Sequence, residues 1–300
     1  MKIICKDINK IYKVKKGLFK SEKYEVIKSL NYSLDQGDIV GIVGSSKAGK
    51  TTFINLLSGK EAPTCGNILI DGEENYQRLR ENCEIINDLE SRKLLKTASV
   101  YNNLVYFGHK YKLDSLDVEQ SISNFKNIFE LEKIINKKIF EITEFELIKV
   151  NLTISILKKT PILLFDSALS RLSVIEKNLL LKMLKRLNKE YKTTIVIATN
   201  DIGDIEKICK RIVIVKKGEI VIDDNFDKVK KELFNNKDIK IIFNKSFVVP
   251  KGDFKIIENS DYLLRIRIDF NKCEFAALIN QLDINSIVDI NISYIPLEEL

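Results

Sequence analysis

Eight consecutive residues of this 300-residue chain have types and spacing suited to gripping a string of phosphates: Gly44-Ser45-Ser46-Lys47-Ala48-Gly49-Lys50-Thr51. They match G-x-x-x-x-G-K-[ST], in which the glycines let backbone N–H groups turn inward around phosphate oxygens. In that pattern Lys50 reaches the β- and γ-phosphates and the Thr51 hydroxyl is a ligand for Mg²⁺. Asp166 ends the apolar run Ile162-Leu163-Leu164-Phe165 and fits the carboxylate that such loops use to hold the metal, directly or through water. The chemistry these residues imply is the binding of a nucleoside triphosphate with Mg²⁺. His109, the only histidine, has Lys110 beside it and no cysteine nearby, so it receives neither a metal nor a catalytic assignment.

A phosphate loop needs a strand before it and a helix after it, because the helix N-terminus adds its positive dipole. Both flanks are legible. Ile39-Val40-Gly41-Ile42-Val43 is a largely apolar run of the kind buried on both faces in parallel sheets, and residues 51–57 read as the helix. Upstream, residues 3–5 and 25–33 read as strands, with a basic, glycine-containing surface loop or hairpin tip between Lys13 and Lys23. Residues 67–70 read as a strand closing on the Asp71-Gly72 turn. From about 89 to 159 proline is absent and apolar residues recur at helical spacing, as at Phe125, Ile128, Phe129, Leu131 and Ile134, which predicts a helical insert. Strands at 161–166, 194–198, 212–215 and 219–222 then alternate with helices at 174–187 and 202–209, the signature of an α/β parallel sheet. Beyond residue 236, strands at 239–243, 254–258, 263–268 and 287–293 and a helix at 274–282 predict a small α+β unit. The expected division is 1–235 and 236–300.

Composition narrows the remaining classes. Hydrophobic residues are 45% and charged residues 30%, with 12 glycines and four prolines, which excludes wholesale disorder and collagen-like or linker-dominated chains. No apolar run approaches the ~20 residues of a membrane span, and charges interrupt residues 1–6 before a signal-peptide core can form. The five cysteines, Cys5, Cys65, Cys83, Cys209 and Cys273, show no C-x-x-C spacing, which points to a reduced compartment without a zinc site. The net charge of +7 is what a lysine-rich solvated surface gives, and no nucleic-acid partner is expected.

Taken together, residues 39–52 and Asp166 resemble the ATP-binding subunit of ABC transporters, and the resemblance extends over about residues 1–224. Tyr12 sits where that family places an aromatic that stacks on adenine. Ser99-Val100-Tyr101-Asn102-Asn103-Leu104 is similar to the family's opening of the helical subdomain, and Arg211-Ile212-Val213-Ile214-Val215 to its closing strand. The resemblance implies a P-loop NTPase core of ABC type, with ATP held by Tyr12, Gly44, Ser45, Ser46, Lys47, Ala48, Gly49, Lys50, Thr51 and Thr52. Mg²⁺ would be held by Thr51, Asp166 and Asn87, the last standing for the family's metal-reaching glutamine. It implies as partners a separate transmembrane permease, contacted through the helical insert and the Asn87 region, and a second ATP-binding subunit of the same or another kind. The place is the cytoplasmic, inner face of the cell membrane. The tail, with Pro296-Leu297-Glu298-Glu299, is loosely similar to tails of efflux ATPases of this type.

The chain departs from the family where phosphate is cleaved. Ser167 replaces the glutamate that polarises water, and Asn200 replaces the switch histidine. Ser173 replaces the D-loop aspartate, and Ile142-Thr143-Glu144-Phe145-Glu146 stands in place of L-S-G-G-Q. Lys47 replaces a usual glycine and adds a possible phosphate contact. A positioned general base is worth ~10²–10⁴ in rate. The groups that hold nucleotide remain while those that cleave it are missing, so the expected function is ATP binding that closes a dimer, with weak or absent hydrolysis. The alternatives are a nucleotide-gated regulator without a transporter, or a slow ATPase with another base such as Asp201.

Overall fold

β1 (Lys2–Lys15) and β2 (Ser21–Asp35) form a long antiparallel hairpin, in register from Lys2 opposite Asp35 to Lys15 opposite Ser21. The strands expected at 3–5 and 25–33 are therefore too short, and Lys13 to Lys15 belong to strand rather than loop. Register shifts between Cys5 and Ile11 break the two-residue alternation that a strand reading follows. Next come β3 (Ile39–Val43), α1 (Lys50–Leu57) and β4 (Cys65–Ile70), which completes a three-stranded sheet of order β2-β1-β4. α2 (Tyr76–Asn82) and β5 (Cys83–Asn87) follow, neither of them predicted from the sequence.

The computed structural model describes residues 1–16, 21–87, 94–233, 236–270 and 275–295. Positions 17–20 of the basic segment, 89–93 of the expected insert, Asn235, Cys273, Glu274 and the segment 296–299 lie outside the described residues. The insert contains α3 (Val100–Lys110), α4 (Ser115–Ile128) and α5 (Glu144–Leu157), with 3-10 turns at Leu131–Lys133 and Ile139–Glu141. Side chains satisfy the exposed N–H groups at each α-helix start. Ser99 accepts from Asn102 N, Asp114 accepts from Asp117 N, and Thr143 forms a reciprocal capping box with Glu146.

β6 (Ile162–Asp166), α6 (Val174–Tyr191), β7 (Thr194–Thr199), β8 (Arg211–Lys216) and β9 (Glu219–Asn225) build a six-stranded sheet of order β5-β6-β7-β3-β8-β9. The pairings from β5 through β8 are all parallel. The helix expected over 202–209 is only a 3-10 turn at Ile202–Asp204 followed by hydrogen-bonded turns over 205–208. Gly203 is a poor helix former, and the Asp204 carboxylate is drawn inward to accept from Thr199 Oγ1 at 2.9 Å and Lys177 Nζ at 2.6 Å. α1 packs on β2 and on β6 and β7. Its Phe53, Leu56 and Leu57 join Ile27, Leu30, Val40, Leu164 and Val196 in one buried core.

The chain divides into two compact units, Met1–Asp223 and Asp224–Leu300, ahead of the boundary read at 235 and 236. α7 (Phe226–Leu233) falls in the second unit. There β10 (Asn236–Phe243), β11 (Phe254–Ser260), β12 (Leu263–Asp269) and β13 (Ile287–Tyr294) form an antiparallel sheet of order β11-β12-β10-β13. α8 (Phe275–Ile279) contributes Leu278 to its core beside Ile239, Ile241, Leu264 and Ile266. No described helix is long and apolar enough to cross a membrane.

Candidate functional site

The phosphate loop leaves β3 at Val43 and enters α1 at Lys50, at the middle of the parallel sheet. Two glycines make this path possible. A Cβ on Gly44 would stand 2.4 Å from the Val215 carbonyl oxygen, and Gly49 caps α1 with φ of 108°. Lys50 is buried, and its ammonium donates to the carbonyls of Gly44 at 2.6 Å and Ser45 at 2.8 Å. It is thus folded back across the loop it belongs to. Thr51 Oγ1 donates to Asp166 Oδ1 at 3.1 Å, bringing together two oxygen ligands separated by 115 residues. Asn87 ends β5 directly beside Asp166 at the end of β6, so the sheet register sets these two side by side.

A cavity of about 480 Å³ opens over the loop. Of the predicted residues, Ser46, Lys47, Gly49, Lys50, Thr51 and Thr52 line it, as do Ser167 and Asn200. Gly44, Ser45 and Ala48 form the loop behind, while Asp166 and Asn87 adjoin through the Thr51 hydrogen bond and the strand register. Val26 and Ser170 also line the cavity and were not singled out in the sequence. Ser170 has a local signal, lying four residues after Asp166 in a turn where its hydroxyl donates to the Ser167 carbonyl. Val26 has none, because its backbone meets Gly49 and Gly218 only in the folded chain.

Tyr12 does not line this cavity. Its hydroxyl donates to Glu61 Oε2 at 2.6 Å and lies 3.4 Å from Thr52 Oγ1. Burial, then the hydrogen bond to Glu61, raises the phenol pKa above its ordinary value. Burial works to raise the Glu61 carboxyl, but hydrogen bonds from Tyr12, Lys10 and Asn55 outweigh it and hold that group low. Lys10 Nζ completes the cluster 3.0 Å from Glu61. Tyr12 is therefore fixed by its phenol, one hydrogen bond from the loop.

The residues that stand where cleavage groups would be are also fixed. Ser167 holds a left-handed backbone with φ of 56°, and its N–H donates to Ala198 O at 3.0 Å. Asn200 follows Thr199, whose hydroxyl is tied to buried Asp204 and through it to Lys177 of α6. Asp201 accepts from Gly203 N and caps the following 3-10 turn. At α5, Glu146 accepts from Thr143 N at 2.8 Å, so the helix start already holds a carboxylate of its own.

The donor set fits Mg-triphosphate. Lys47 and Lys50 supply positive charge and five hydroxyl-bearing side chains supply hydrogen bonds, while among the described residues no carboxylate lines the cavity. Hard oxygen donors from Thr51 and Asp166 suit Mg²⁺, which takes few protein ligands and completes its shell with phosphates and water. Accordingly, among the described residues no three His, Cys, Asp or Glu side chains cluster as an all-protein metal site.

Comparison with known proteins agrees with this geometry. The ABC transporter family model matches residues 27–170. The chain is 30% identical over 223 residues to the lipoprotein-releasing system ATP-binding protein LolD of Buchnera aphidicola subsp. Acyrthosiphon pisum, covering 69% of this chain and 91% of that protein. It is 24% identical over 284 residues to the methionine import ATP-binding protein MetN 2 of Bacillus cereus, covering 91% and 82%. Among solved structures, cbiO1 of Clostridium perfringens, part of the ABC transporter complex cbiONQ, superposes with a TM-score of 0.68 at 22% identity, over 77% of this chain and 90% of that one. With the strand–loop–helix around Lys50 and the parallel sheet that carries it, these matches make the chain a member of the ATP-binding subunit family of ABC transporters.

Proposed function

We propose that the cavity above Lys50 and Thr51 takes the triphosphate of Mg-ATP, and that the chain closes a dimer on nucleotide with little or no hydrolysis of its own. Lys50 and the loop N–H groups would hold the phosphates, Thr51, Asp166 and Asn87 the metal, and Tyr12 the adenine. Bound Mg²⁺ would offset the charge of the phosphates. The observation that supports the reading is the lining itself: among the described residues no carboxylate or imidazole lines the cavity, and Ser167 and Asn200 stand where the family resemblance puts base and switch. Neither side chain can take a proton from water at neutral pH.

The partners follow from the family. A separate permease in the membrane would receive the helical insert and the Asn87 region, and a second ATP-binding subunit would complete the dimer, at the cytoplasmic face. The self-capped start of α5 supports a dimer whose facing site is also poor at cleavage, because Glu144 and Glu146 repel a phosphate there. Restoring the base tests the reading. In Ser167→Glu, phosphate release should rise by about 10²-fold or more. Unchanged release with intact Mg-ATP affinity contradicts the missing-base account.

A further inference from the structure

A second cavity lies at the opposite end of β6 from Asp166. It encloses about 440 Å³ between one face of α4, the turn into β6 around Thr160, and the end of α6 at Tyr191. It shares no lining residue with the phosphate cavity. β6 is five residues long, so at ~3.3 Å per residue the two sites stand roughly 15 Å apart along the strand. The size falls within the range of small-molecule sites.

The lining has a pattern. On α4, Val118, Ile122, Phe125 and Ile128 are buried, the stripe of a packed helix. Beside that stripe Asp117, Gln120 and Asn124 recur at i, i+3 and i+7, and this polar face borders the cavity rather than only open solvent. Across from it, Thr160 is 6% exposed, and its buried hydroxyl has no hydrogen-bond partner among the described residues. Buried hydroxyls are rarely left so. Phe125 and Tyr191, with ring centroids 5.9 Å apart and planes inclined at 53°, make an angled aromatic wall. No ring fits between them, but one face of a flat ring can lie against Tyr191, which is half-exposed.

Charge selects further. Among the described residues one carboxylate, Asp117, and one ammonium, Lys159, line the cavity, so their charges balance and favour a neutral ligand over a polyphosphate. The carboxamides of Gln120 and Asn124 each present donors and an acceptor, the groups that read the edges of nitrogen heterocycles. We propose that this cavity is a second ligand site, for a neutral, planar nitrogen heterocycle of nucleobase or nucleoside size. The ring stacks on Tyr191, its edge meets Gln120 and Asn124, and a polar atom satisfies Thr160. A ligand so held bridges α4 of the insert and the root of the strand that ends at Asp166.

The test uses the full chain, with adenosine and guanosine as phosphate-free probes, titrated calorimetrically with saturating Mg-ATP present. At least one nucleoside should bind although Mg-ATP fills the phosphate cavity. Tyr191→Ala should weaken it about tenfold or more, as loss of a stacking face does. The near-isosteric Thr160→Val should weaken it about two- to tenfold. Absence of binding by both nucleosides at millimolar concentration overturns the proposal. Binding that is seen only when Mg-ATP is left out and is kept in Tyr191→Ala also overturns it, because it places the nucleoside in the site that ATP fills.

Discussion

Thr51 and Asp166 meet at 3.1 Å, and Lys50 is held by two carbonyls of its own loop, so contacts within the chain fix all three side chains. Tyr12 is held from the other direction, through Glu61, Lys10 and Thr52. If its ring stacks on adenine while its hydroxyl only positions it, the two parts separate by mutation. Tyr12→Ala should weaken ATP binding about 5- to 100-fold, the scale of lost base–aromatic stacking. Tyr12→Phe should change it less than about threefold, since the ring remains. Equal losses in both variants, measured by calorimetry, would give the hydroxyl the larger share. Gly44 through Thr52 were legible because a contiguous pattern encodes a local backbone path. The clamp on Tyr12 was not, because its partner Glu61 lies 49 residues away and only the fold brings them together.

At the scale of elements, the site is the mouth of a parallel sheet. β3 delivers the loop, β6 delivers Asp166 with Ser167 after it, β7 delivers Asn200 and β5 delivers Asn87. All four strands point their C-terminal ends the same way, so their tips form one surface. The spacing between β3 and β8 fixes how closely the loop passes Val215. Gly44→Ala places a methyl carbon 2.4 Å from that backbone oxygen, closer than contact permits. Either the loop or β8 has to shift, so this variant should lose measurable ATP binding and show a lower thermal midpoint by circular dichroism. Normal binding and melting would contradict the close approach. The apolar strands β3, β6 and β7 were readable because burial on both faces leaves near-continuous hydrophobic runs. β5 was not: Glu84 and Asn87 interrupt a five-residue stretch too short to show a period. The expected helix after β7 failed for a related reason, since its apolar spacing was helical while Gly203 and inward-drawn Asp204 favour a turn.

At the scale of the whole molecule, the chain is two units with separate cores. In the second unit Asp238 is 2% exposed and accepts from Arg267 at 2.7 Å and from Arg265 at 2.8 Å. Burial works to raise its carboxyl pKa, but the two guanidinium groups prevail and hold it below the ordinary aspartate value. The unfolded chain therefore takes up this proton first as pH falls. The stabilisation is complete above the ordinary value, near pH 4, and is lost as pH drops through the lower folded one. Hydrogen exchange of β10 and β12 in the full chain should accelerate below about pH 4, after correction for intrinsic rates, and Asp238→Asn should raise it already at pH 7. Identical protection in the variant at pH 7 would mean that the arginines do not rely on Asp238.

The proposed function has this chain hold nucleotide with little or no cleavage, and a matched pair of measurements on purified protein addresses it directly. Mg-ATP affinity is read by calorimetry, and phosphate release is read at saturating ATP, with Lys50→Ala as the control for both. The expected result is binding that disappears in Lys50→Ala, with phosphate release by the natural chain no greater than that of the variant. Phosphate release that depends on Lys50 would contradict it, and would require a base other than Ser167 or Asn200.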